Sequence, residues 1–156
     1  MTRDERFDED EWALLVALPR HVADALFAVS SHHPAALRRE AHAAGMAITH
    51  PHEGGPAGVL IVSLLASSES EEALEAAIEH EVVEDPDALR ADALAAIRRG
   101  VALFGRLTPE ERDGLRHWLL GIGEAEAEGA PERSADEPVS GLERDELAEI
   151  AEILAG

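Results

Sequence analysis

The chain contains no lysine and no cysteine, and aromatic residues make up only 3% of it. Each absence excludes something. Without cysteine there are no disulfides, no thiolate nucleophile and no cysteine-based zinc site. Without lysine there is no phosphate loop of the GxxxxGK kind. Few aromatics, few β-branched residues and much alanine favour closely packed helices over sheets. Long apolar runs are missing too. The longest, Val59 to Ala66 with Ser63 inside it, falls far short of the roughly 20 residues that span a bilayer. The opening residues, Met1 to Arg6, are too acidic and polar for a signal peptide. The expectation is a soluble, cytoplasmic protein with no membrane insertion.

What is present is acid. Thirty-three Asp and Glu face 13 arginines, a formal net charge of −20 over 156 residues. Such a charge repels phosphate backbones and anionic lipid, so nucleic acid is excluded as a partner. Cations and basic proteins remain. The acidity has two kinds of cause. One is compositional: a saline host, or a GC-rich genome that writes arginine for lysine. The other is a functional demand for cations.

Helical periodicity runs through the chain. Trp12, Leu15, Val16, Val22, Leu26 and Phe27 mark an amphipathic helix over about 10–30. Asp8 or Asp10 stands at its start, and Pro19 inside it should kink it. A second helix is expected over 35–48. The run 59–65 has no strand partner elsewhere, so it reads as a buried helix. Ser68 and Glu71 have capping-box spacing and introduce a helix to about Val82. Asp85-Pro86 starts another, to Phe104, with Leu89, Ala93, Ile97 and Val101 inward. Thr108-Pro109-Glu110-Glu111 is the strongest start signal: cap, first-turn proline and box glutamate together. Its helix, carrying Leu115, Trp118, Leu119 and Ile122, extends to about Glu128. An acidic flexible loop is expected around 129–139. Ser140 and Glu143 repeat the box before a last helix with Leu142, Leu147, Ile150, Ala151 and Leu154 inward. The fold class is all-α: one domain over 1–156, a bundle of five to seven helices.

Eight histidines are the candidate chemistry. His50, His52 and Glu53 in one turn, with His32, His33 and His42, form a candidate metal set, since imidazole and carboxylate suit a divalent transition metal. No HExxH or ExxH motif and no EF-hand loop supports them. Carboxylate runs such as Glu69-Glu71-Glu72 read as solvated faces rather than acid–base pairs, and Trp12 and Trp118 read as core. No catalytic residue and no obligatory cofactor is assigned.

Two segments resemble a widespread bacterial all-helical family of uncharacterised function. Glu11-Trp12, Leu15, Pro19 and Val22 look like its opening. Trp118-Leu119, Glu128-Gly129, Val139-Ser140, Leu147, Ile150 and Leu154 look like its close. That family's loop is glycine-rich, whereas this chain has 130–138 rich in Ala, Pro and Glu. More distantly, the helix order and the acidic turn before the last helix are similar to tellurite-resistance TerB-like domains. That resemblance implies a helical bundle linked to stress responses and metal ions. The expected function is non-enzymatic: a small acidic accessory protein, stress-associated, acting through protein contacts, with a basic protein among the candidate partners. Two alternatives stay open: a metal-binding protein, and a binder of apolar small molecules or lipid between Ala-rich helices.

The charge makes a first prediction. Carboxylates crowded on a small surface repel, and the Debye length falls from about 30 Å at 0.01 M salt to about 3 Å at 1 M. Thermal melts should therefore show a midpoint that rises with sodium chloride. A flat series would mean that the arginines already neutralise the repulsion.

Overall fold

In the computed structural model, residues 3–29, 34–67, 85–128 and 141–156 are described, with the backbone alone at 34–38, 40 and 41. They form six α-helices and one 3₁₀ turn, with no strand among the described residues. The helices are α1 (Glu9–Val29), α2 (Pro34–Thr49), α3 (Gly55–Ser67), α4 (Pro86–Val101), α5 (Pro109–Glu128) and α6 (Gly141–Ala155), and the 3₁₀ turn Ala102–Arg106 follows α4. The all-α expectation holds, and the apolar run after the Gly-Pro cluster is the helix α3. The expected helix over 68–82, the loop 129–139 and Ser140 lie outside the described residues.

Helix starts follow the side chains that satisfy first-turn N–H groups. Asp8 caps α1 reciprocally: Glu11 N–H donates to Asp8 Oδ1 at 2.8 Å, and Asp8 N–H donates to Glu11 Oε2 at 3.0 Å. Asp85 Oδ1 accepts from Ala88 N–H at 3.1 Å at the head of α4. The box at α5 is complete. Thr108 N–H donates to Glu111 Oε2 at 2.8 Å, and Glu111 N–H donates to Thr108 Oγ1 at 3.2 Å. Helix α1 runs as one segment through the buried Pro19. The sequence placed one continuous helix over 86–104, but its last turn tightens to 3₁₀, a common way to end a helix. Phe104 still turns inward there.

Helices α1 and α5 form the centre. Helix α1 packs along α4, α5 and α6, and α5 packs along α2, α3 and α6. Leu15, Leu18, Val22, Leu26, Ile61, Ile97, Leu115, Leu119, Ile122 and Ile150 are buried in one contiguous apolar cluster. Each such aliphatic side chain stabilises by about 1.5–3 kcal/mol. Both tryptophans are core, as expected. Trp12 donates its indole N–H to Ser67 Oγ at 3.0 Å, tying α1 to the end of α3. One inward assignment fails. Leu142 is 67% exposed, while Glu143 and Glu146 are buried and Ile150 and Leu154 keep their inward places.

Small residues set the spacing of α3 and α5. A Cβ at Gly114 would meet the Ala57 Cβ at 2.2 Å. Only glycine permits that approach.

Among the described residues, arginine–carboxylate pairs join segments distant in sequence. Arg6 binds Glu111 at 2.8 and 3.0 Å, while also holding Asp4. Arg106 binds Glu11 at 2.6 and 2.8 Å. Arg90 meets the buried Glu146 at 2.6 Å, and Arg98 meets Glu149 at 3.4 Å. The two arginines of the first pairs also exchange backbone contacts. Arg6 donates to the Arg106 carbonyl and Arg106 to the Arg6 carbonyl. Both guanidinium groups lie within 6 Å of the buried Phe7 ring, at 5.9 and 5.7 Å. The Arg6 hydrogen bonds hold the carboxyls of Asp4 and Glu111 below the usual carboxylate range. Arg106 does the same to Glu11.

Two substitutions check these local arguments in urea melts. Thr108→Ala should lose roughly 1 kcal/mol, the usual worth of an N-cap oxygen. Gly114→Ala should also destabilise, by about 1–3 kcal/mol of overpacking, although helix propensity alone would favour alanine by about 1 kcal/mol. A stabilised Gly114→Ala would show that α3 and α5 are not held at this distance.

Candidate functional site

The turn between α2 and α3 carries most of the described histidine chemistry, so the site is built from there. Helix α2 ends at Thr49, whose hydroxyl donates back to the Gly45 carbonyl at 2.9 Å. His50 folds onto the same end. Its Nδ1 lies 3.1 Å from the Met46 carbonyl and 2.9 Å from Thr49 Oγ1. That ring is engaged with the terminus of α2, where imidazole suits the helix dipole. His52 is exposed on the turn.

Glu53 behaves differently. Its side chain is only 8% exposed, and Oε1 lies 2.9 Å from Nδ1 of His117 on α5. Its other oxygen, Oε2, is buried with no hydrogen-bond partner. Two glycines lie beside it. A Cβ at Gly58 would sit 2.6 Å from the Glu53 carbonyl oxygen, and one at Gly114 would lie 3.8 Å from Glu53 Cγ. Glycine at both positions lets the turn tuck its carboxylate against the α3–α5 crossing.

The expected metal set is therefore divided. His50 is tied to α2, Glu53 is joined by His117, and His52 stands in solvent. His32 and His33 lie outside the described residues, and His42 is exposed on α2. No three His, Asp or Glu side chains converge to hold a metal ion among the described residues. His117 was missed because it lies on the polar side of α5, 64 residues from Glu53.

The runs read as solvated faces, such as Glu69-Glu71-Glu72, lie outside the described residues; elsewhere some carboxylates are enclosed. Glu111, Glu126, Glu143 and Glu146 are buried. Arg6 and Thr108 account for Glu111, and Arg90 for one oxygen of Glu146. His21 on α1 is half-buried; burial, with Arg20 and Arg99 nearby, lowers its pKa and favours the neutral ring.

The second feature is the outer face of α3. Ala57, Leu60, Ile61 and Leu64 face the core. Val59 and Val62 face out, 69% and 51% exposed, with Ala66 exposed one turn on. From Gly54 to Ser68 no residue carries a charge. Helix α1 also passes a test of length and apolarity for crossing a membrane, but half of its most apolar window is buried in the fold. That is how a core helix of a folded domain looks.

No protein-family model, curated protein or solved structure matches the chain. Its function is read from its own side chains.

Proposed function

We propose that the protein is a non-enzymatic binding module, a cytoplasmic accessory protein that docks another protein through the outer face of α3. The observation that carries this reading is the pair Val59 and Val62, exposed on an uncharged helix in a chain of net charge −20. An apolar centre ringed by charge is the anatomy of a protein interface. Burying two valines would contribute about 3–6 kcal/mol before the costs of association. The chain's net charge of −20 selects the partner: an apolar anchor flanked by arginine or lysine, drawn in by long-range attraction. A stress-associated role belongs to the same proposal and rests only on the likeness to TerB-like domains read from the sequence.

A photo-crosslinking residue at Val62 in the full-length chain tests this, with Ala91, exposed on α4, as the control position. The expected result is one discrete adduct from position 62 and none from position 91. Val59→Asp should remove the adduct while leaving the thermal melt cooperative. The purified partner should bind less tightly as sodium chloride rises. Equal labelling from both positions, or binding insensitive to Val59→Asp, would defeat the reading.

A further inference from the structure

A carboxylate taken out of water needs its charge balanced and its lone pairs engaged. Glu53 meets half of that requirement. His117 reaches Oε1, and Oε2 has no hydrogen-bond partner although it is buried. The His117 ring is 81% exposed, so the pair opens to solvent on one side. A proton between the two groups is one way to hold them together. A metal cation is another, and this chain's field favours cations throughout.

The geometry suits it. A tetrahedral zinc with nitrogen and oxygen ligands at about 2.0–2.1 Å places those two atoms about 3.3 Å apart. The observed Nδ1 to Oε1 separation is 2.9 Å. An exposed ring moves by the few tenths of an ångström required, while the Glu53 side chain is enclosed by the fold. We propose that Glu53 and His117 form a two-residue site for a divalent transition-metal cation of the zinc or nickel class, with water completing the coordination. The ion takes the place of the proton shared by the pair, on Nδ1 and a Glu53 oxygen. A site with two protein ligands is weak and exchangeable. It suits an ion that comes and goes rather than a structural metal.

This site differs from one built on the turn histidines, and it does not depend on docking at α3. The test is zinc chloride titrated into the purified full chain, followed by the imidazole resonances of each histidine and by calorimetry. The expected result is saturable binding with the His117 resonances shifting first. His117→Ala should weaken affinity by at least about tenfold, since even outer-shell changes at metal sites cost about 10–100-fold. Glu53→Gln should do the same, with a thermal melt confirming that the variant folds. The double variant His50→Ala/His52→Ala should stay within about twofold of the parent, because neither residue is a ligand here. Magnesium at equal concentration should leave His117 unmoved, because it prefers oxygen ligands. Affinity lost in the double variant but kept in His117→Ala would overturn the proposal, as would a zinc response no different from that to magnesium.

Discussion

Scarce cations among many carboxylates are the condition on which this fold rests. Thirteen arginines cannot neutralise 33 acids, so their placement matters more than their number. Among the described residues, Arg6, Arg90, Arg98 and Arg106 act across the tertiary structure. Arg6 ties the N-terminal segment to α5, Arg106 ties the 3₁₀ turn to α1, and Arg90 and Arg98 tie α4 to α6. Exposed pairs of this kind are usually worth little. Those at Glu111 and Glu146 are different, because removing the arginine would leave a buried carboxylate without its counter-ion. The apolar core supplies the driving force, and the arginines make the acidic helices compatible with it.

Much of the fold was legible because it is written locally. Start signals at Asp8, Asp85 and Thr108 depend on residues three positions apart, and each bond is present. The 3.6-residue stripes located the core faces of α1, α4 and α5. What failed depended on distant partners. Leu142 was placed inward yet is exposed, while on the same helix Glu146 is buried against Arg90. Nothing in the sequence of α6 names Arg90 as that partner.

The candidate site was legible only in part, for the same reason. Glu53 was singled out for its neighbours His50 and His52, but the residue that meets it is His117. Histidines adjacent in sequence suggested a shared ligand set. The end of α2 uses one of them and solvent takes another. The outer face of α3 was hidden by its own composition. An uninterrupted apolar run shows that a helix is buried somewhere without showing which side is left over. That side became visible only once Leu60, Ile61 and Leu64 were seen to face the core.

The Arg6 and Arg106 contacts around Phe7 give the protein an unusual relation to acid. Asp4, Glu11 and Glu111 have carboxyls lowered by their arginines. A group of this kind stabilises the fold at every pH above its unfolded value. Its contribution is lost only as the pH falls through the lower, folded value. The crowded surface acids work in the opposite sense, because neutralising them relieves repulsion. As the pH falls, the unpaired surface carboxylates therefore take up protons before the three that hold arginines, so the contacts closing the N-terminal segment over Phe7 outlast the surface charge.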